Sequence, residues 1–196
     1  MRRVIDPPLN SAGAWLAARG VAANGLTVTG FVIGMGAVPA LAVDAPLAAL
    51  VLILLNRLAD GLDGAVARVR GPTDFGGYLD IVLDFLFYSA VVFGVALGQP
   101  EHAVWAAFLI FSFVGTGVSF LAFAIVAAKR DLTTDTLGKK SIYYLGGLAE
   151  GTETIVTFVL ICLFPDAFPW IAGIFGAMCW ITTVFRINEA RRAFGG

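Results

Sequence analysis

Long apolar runs separated by short polar breaks recur six times along the chain, at Thr27–Val43, Ala45–Val69, Gly76–Leu97, Val104–Ala128, Ser141–Phe164 and Phe168–Ile187. A helix of about 20 mostly apolar residues crosses the hydrocarbon core of a bilayer. The pattern therefore predicts an all-α polytopic membrane protein with six transmembrane helices, the first short and the second long. Ahead of the first run, Val4, Leu9, Trp15, Leu16 and Val21 mix with Arg3, Arg19 and several alanines, which predicts an amphipathic helix at the membrane interface. The start of the chain lacks an early apolar core with a small-residue cleavage site, so it does not read as a secretory signal.

Composition sharpens this picture. Of 196 residues, 59% are hydrophobic and only 14% charged, where a soluble domain carries about a quarter. The length suits one domain, 1–196, with no internal repeat. Thirteen basic and fourteen acidic side chains nearly balance, so nothing points to nucleic acid. One His and two Cys exclude a zinc cluster or a disulfide framework.

The basic residues set the orientation. Arg2, Arg3 and Arg19 precede the first run, and Arg68 and Arg70 lie between the second and third. Lys129, Arg130, Lys139 and Lys140 separate the fourth and fifth, and Arg186, Arg191 and Arg192 close the last. The opposite connections, near Asp44, Glu101–His102 and Asp166, contain no Lys or Arg. The positive-inside rule then puts both termini in the cytoplasm, as an even number of spans requires.

Four carboxylates interrupt the second and third runs. Asp60 and Asp63, three apart, share a helix face, and so do Asp80 and Asp84, four apart. The short connection Arg70-Gly71-Pro72-Thr73 makes the two helices antiparallel neighbours with the pairs facing each other. Each carboxylate at membrane depth costs about 2.5–3.5 kcal/mol on an insertion scale, and mutual repulsion adds to that. Arg57 and Arg68 are too few to neutralise four charges. A divalent ion does better, and hard oxygen ligands suit Mg²⁺ or Mn²⁺, which keep positions for water or substrate phosphate. Helix caps at the surface would account for Asp74 and Asp80 but not for Asp60 or Asp84. Gly61, Gly64, Ala67, Gly76 and Gly77 leave room for a polar ligand at the backbone, or for close helix packing.

These residues carry a resemblance to the CDP-alcohol phosphotransferases. In the family signature an Asp, two residues, Asp-Gly, two residues and Ala-Arg are followed by about eight residues, then Gly, three residues, Asp, three residues and Asp. Asp60, Asp63, Gly64, Ala67, Arg68, Gly76, Asp80 and Asp84 match it in order. Seven residues rather than eight separate Arg68 from Gly76, which shortens the turn but keeps the helix faces. Asn24-Gly25-Leu26-Thr27 is similar to the Asn-x-x-Thr segment opening the first span in this family. The whole chain resembles a small bacterial inner-membrane branch, the Tyr143–Thr154 stretch included.

The resemblance implies a six-helix enzyme of phospholipid biosynthesis. Such an enzyme moves a phosphatidyl or equivalent group from a CDP-linked lipid, such as CDP-diacylglycerol, to an alcohol and releases CMP. It implies that Asp60, Asp63, Asp80 and Asp84 hold one or two Mg²⁺ or Mn²⁺ ions, with Asp84 as general base. Gly64 and Arg68 would contact the CDP moiety, and Ala67 and Gly76 would leave space for it. Thr73 and Asn24, Gly25, Leu26 and Thr27 would add nucleotide contacts. A homodimer is a further implication.

For the acceptor alcohol, Glu150 and Glu153 share a face of the fifth run and suggest a pocket for a neutral polyol or amino alcohol. Lys139, Lys140 and Arg186 pull the other way, towards an acceptor phosphate, unless they only set topology. Cys162 and Cys179 read as packing residues, and His102 lies on the side opposite the carboxylates. Gly115-Thr116-Gly117 with Ser119 forms a small-residue stripe, either a dimer seam or packing within the protomer. The rival function is an ion or solute transporter using the Asp cluster as a cation site. Gly64, Ala67, Arg68 and Gly76 separate the two, because a nucleotide site needs small residues and a cation beside acidic ligands.

Overall fold

The computed structural model of the chain describes residues 2–130, 149 and 151–195, with side chains described from residue 7 onward. Among the described residues the fold is all-helical, without a strand. The elements are α1 (Arg2–Ala18), α2 (Ala23–Met35), α3 (Ala37–Ala42), α4 (Pro46–Arg70), α5 (Asp74–Gly98), α6 (Ala103–Lys129), α7 (Gly151–Leu163) and α8 (Phe168–Phe194). Short 3₁₀ turns at Pro100–His102 and Pro165–Ala167 precede α6 and α8.

The second, third and fourth apolar runs match α4, α5 and α6 to within two residues, whereas the last stops at Ile187 and α8 continues to Phe194, the start of the fifth lies outside the described residues, and the first is broken. There Gly36 separates α2 from α3, its N–H bonding back only three residues to the Ile33 carbonyl at 3.1 Å. Pro39, three residues on, has no N–H to continue the ladder and its ring crowds the preceding turn. Four described stretches are long and apolar enough to cross a membrane: Ala23–Ala42, Asp74–Gly98, Pro100–Lys129 and Pro165–Phe194. The expected six are four by this measure. Helix α4 matches α5 in length but carries Arg57, Asp60, Asp63, Arg68 and Arg70, and α7 has 13 described residues.

The chain forms two compact units, Met1–Gln99 and Pro100–Gly196. In the first, α2 and α3 pack against both α4 and α5, which make little direct backbone contact with each other. The two helices of the predicted hairpin are thus splayed, with α2 behind them. Two glycines one turn apart permit this. A Cβ on Gly30 would lie 2.6 Å from Ala59 Cβ on α4, and one on Gly34 would lie 2.8 Å from the Phe87 ring on α5. Between lipid-soluble helices close van der Waals approach is the main attraction, and small residues provide it. Helix α1 docks on the C-terminal half of α4, where Leu9 faces Gly61 and Gly13 faces Ala65. Trp15 stays 55% exposed on the other side, with the Arg19 guanidinium 3.4 Å over its ring.

In the second unit α6 packs along α8, and α7 also lies against α8. Gly115 faces Thr183 and Trp180, and the Phe111 and Trp180 rings lie 4.9 Å apart. The start of the small-residue stripe therefore serves packing within the protomer. Buried hydroxyls on these helices bond to carbonyls of their own preceding turn, Ser112 to Leu109 at 2.7 Å and Thr183 to Cys179 at 2.9 Å. Cys162 and Cys179 are buried and unbridged.

Candidate active site

The site is built around the α4–α5 connection. Helix α4 ends at Gly71, whose φ of 94° favours glycine, and Pro72 follows. Thr73 then caps α5, its Oγ1 accepting the Gly76 N–H at 3.0 Å. With both ends fixed, α4 presents Asp60 and Asp63 towards Asp80 and Asp84 of α5.

Ligand oxygens of Asp60, Asp80 and Asp84 all lie within 4.8 Å of one another. Asp63 is 8% exposed, and its Oδ2 is buried without a hydrogen-bond partner. Burying a carboxylate oxygen without a partner is costly, and a bound cation would satisfy it. The residues present fit a divalent metal: hard carboxylate oxygens of Asp60, Asp80 and Asp84 converge, and Asp63, lining the same space, keeps one oxygen unspent.

A cation of the chain itself already stands in the cluster. Arg57 Nη2 donates to Asp84 Oδ1 at 2.8 Å, and its Nη1 lies 3.7 Å from Asp60 Oδ2. Its Nε donates to Asn56 Oδ1 at 2.7 Å, and Asn56 Nδ2 in turn donates to the Gly30 carbonyl at 3.0 Å. Tyr88 donates its hydroxyl to Asp84 Oδ2 at 3.0 Å. Asn56 and Tyr88 were not singled out from sequence. The i, i+3 spacing of Arg57 and Asp60 was visible there, but the link from Arg57 to Asp84 across 27 residues was not.

Next to the carboxylates lies a cleft of about 410 Å³. Asn24, Thr27, Asp63, Gly64, Ala67, Thr73, Gly76 and Asp80 line it, together with Arg70 and residues of the α4–α5 turn. A Cβ on Gly76 would lie 3.0 Å from both Asn24 Oδ1 and Thr73 Oγ1, so the glycine keeps two polar groups close to backbone. Gly25, Leu26 and Arg68 are not part of this lining. Arg68 Nη2 donates to Asn10 Oδ1 of α1 at 2.9 Å, and its Nη1 lies beside Gly64. Arg70, read from sequence only as a topology charge, donates to the Ala17 carbonyl at 3.2 Å.

Of the acceptor candidates, Lys139 and Glu150 lie outside the described residues, as do Lys140, Tyr143 and Tyr144. Arg186 is buried in the second unit and donates to the Thr116 carbonyl at 2.9 Å. Glu153 is half-buried in the first turn of α7. His102 sits in the 3₁₀ turn before α6, its ring 6.3 Å from Phe168.

The family profile described as CDP-alcohol phosphatidyltransferase matches residues 20–187. The chain belongs to that family. Like its relatives, this CDP-alcohol phosphatidyltransferase is a transferase and an integral membrane protein. It is 56% identical over 186 residues to the inner membrane protein YnjF of Escherichia coli, covering 94% of this chain and 85% of YnjF. It is 28% identical to the archaetidylinositol phosphate synthase of Pyrococcus horikoshii, over 98% of this chain and 95% of that one. Its fold resembles the phosphatidylinositol phosphate synthase PgsA1 of Mycobacterium tuberculosis with CDP-DAG bound (TM-score 0.68, 22% identity, 93% of each chain). A second PgsA1 structure, with manganese and citrate, gives a TM-score of 0.66 at 23% identity, over 92% of this chain and 87% of that one.

Proposed function

We propose that this CDP-alcohol phosphatidyltransferase transfers a phosphatidyl group from a CDP-linked lipid, CDP-diacylglycerol or a close analogue, to a small alcohol and releases CMP. The observation that carries the reading is the convergence of α4 and α5 carboxylates beside a cleft walled by Gly64, Ala67 and Gly76. The printed functions of the relatives support the reaction class, and the PgsA1 complex with CDP-DAG supports the donor. A transporter would need the carboxylates but not the adjoining cleft, so the transferase reading is favoured.

Asp60, Asp63, Asp80 and Asp84 are the residues to hold Mg²⁺ or Mn²⁺. A bound divalent ion supplies neutralisation of phosphate charge and makes CMP a better leaving group. The chain's residues do the rest. Asn24, Thr27 and Thr73 offer polar contacts to the nucleotide, and Gly64, Ala67 and Gly76 let it approach backbone. The acceptor oxygen bonds to the phosphorus of the diacylglycerol phosphate as the bond to the CMP oxygen breaks. The acceptor's proton passes to Asp84, whose carboxylate has lone pairs beyond those taken by Arg57 and Tyr88. Glu153 and Arg186 belong to acceptor recognition in this reading. In the membrane the protein has six spans with both termini and the site facing the cytoplasm, α1 lies along that interface, and two copies form a dimer.

The test is release of CMP by the purified protein from CDP-diacylglycerol, with Mn²⁺ or Mg²⁺ and a panel of polyols, amino alcohols and phosphorylated alcohols. Metal-dependent CMP release that requires one class of alcohol supports the proposal. No CMP with any acceptor or metal overturns it.

A further inference from the structure

The Arg57 guanidinium divides its three nitrogens among three partners. Nε donates to Asn56 Oδ1 at 2.7 Å, Nη1 to the Tyr88 hydroxyl at 3.3 Å and Nη2 to Asp84 Oδ1 at 2.8 Å. A guanidinium can only donate, so the Tyr88 oxygen accepts from Arg57 and its proton goes to Asp84 Oδ2 at 3.0 Å. Arg57, Tyr88 and Asp84 thus close a ring of three hydrogen bonds that grips both oxygens of one carboxylate. The same guanidinium is 3.7 Å from Asp60, beyond hydrogen-bonding distance, so its direction is set by Asp84. The ring is itself anchored on both sides. Asn56 is buried and donates to the Gly30 carbonyl of α2 at 3.0 Å. The fully buried Phe87 lies under the guanidinium, 5.1 Å from its carbon, and beside the Tyr88 ring at 6.1 Å.

We infer that Arg57 and Tyr88 are positioning residues that fix the plane of the Asp84 carboxylate, so that its remaining lone pairs meet the acceptor hydroxyl. A carboxylate turns easily about its last bond, and a proton acceptor works only within hydrogen-bond reach of the group it deprotonates. Two donors on two oxygens, one from α4 and one from the next turn of α5, remove that freedom before the acceptor arrives. A lysine in place of Arg57 would supply the charge but not the three directed donors. The inference rests on the transferase reading above, in which Asp84 takes the acceptor's proton.

Steady-state kinetics on the purified full-length protein test this, with CDP-diacylglycerol, Mn²⁺ and the alcohol that supports CMP release in the panel above. Tyr88→Phe keeps the ring and removes one bond to Asp84, and its kcat should fall about tenfold. Its KM for CDP-diacylglycerol, and its Mn²⁺ affinity by equilibrium binding without substrate, should stay within about threefold of the parent. Arg57→Gln should lose about 100-fold in kcat, and Arg57→Lys about tenfold. Tyr78→Phe, which alters an exposed tyrosine of the same helix, is the reference and should keep the parental rate. A parental kcat in Tyr88→Phe overturns the inference, and so does one in Arg57→Lys, because charge alone would then suffice. A loss that lies in donor KM or in Mn²⁺ affinity also overturns it, because these residues would then serve the donor or the ion. Equal losses in Tyr78→Phe and Tyr88→Phe overturn it too. If Arg57→Gln does not fold, Tyr88→Phe and Arg57→Lys decide by the same measurements. In each of these failures the unaltered protein still releases CMP, so the transferase reading survives. No CMP from the unaltered protein with any alcohol or metal overturns that reading and the inference together.

Discussion

Replacing Gly30 by Ala strikes the contact that sets the distance between α2 and α4. The new methyl would lie 2.6 Å from Ala59 Cβ, whereas ordinary contact begins near 3.4 Å, so α2 must retreat by about 0.8 Å. The same retreat stretches the bond from Asn56 Nδ2 to the Gly30 carbonyl from 3.0 Å to beyond hydrogen-bonding range. Overpacking costs about 1–3 kcal/mol and a stranded buried amide about as much again, while Ala returns about 0.5–1 kcal/mol of helix preference. The net expectation is a loss of about 1–5 kcal/mol. Thermal or denaturant unfolding in detergent measures it, with Gly25→Ala as the reference. Gly25 has nothing within 4 Å of its would-be Cβ, so that variant should be no less stable than the parent. A Gly30→Ala protein as stable as Gly25→Ala would refute the close α2–α4 packing that holds Asn56 and, through it, Arg57.

Further expectations concern the site. Thr73→Ala removes the cap of α5 and should cost about 1 kcal/mol, seen as faster amide exchange in its first turn at Gly76; unchanged exchange would show that the cap contributes nothing. Asp84→Asn should lower CMP release by about 100-fold or more while the protein remains folded; a near-parental rate would place the proton acceptor elsewhere. Glu153→Gln should change the preference among acceptor alcohols, and an unaltered preference would remove Glu153 from acceptor recognition.

Much of this was readable in the chain because bilayer physics is one-dimensional. Apolar run length gave α5 as Gly76–Leu97 against Asp74–Gly98 observed, and α8 from Phe168 in both cases. The carboxylates were legible because helix spacing alone decides which of them share a face. What escaped depends on contacts distant in sequence. Gly30 and Gly34 act only because Ala59, Asn56 and Phe87 happen to lie opposite, and this wedge is why α4 and α5 stand apart instead of pairing directly. Arg57 was counted as too little charge for four aspartates, yet its placement against Asp84 makes it part of the centre. Arg68 and Arg70 were read as a nucleotide contact and a topology charge. Their partners Asn10 and Ala17 lie on α1, a helix whose docking on α4 no local pattern announced.

Diffraction from crystals soaked in Mn²⁺, with data collected at the manganese absorption edge, decides whether α4 and α5 gather a metal. The expected result is an anomalous peak within ligand distance of the cluster formed by Asp60, Asp80 and Asp84, with Asp63 beside it, lost in Asp80→Ala. Saturating Mn²⁺ with no peak between these helices, or a peak away from every one of the four aspartates, would contradict the mechanism at its root.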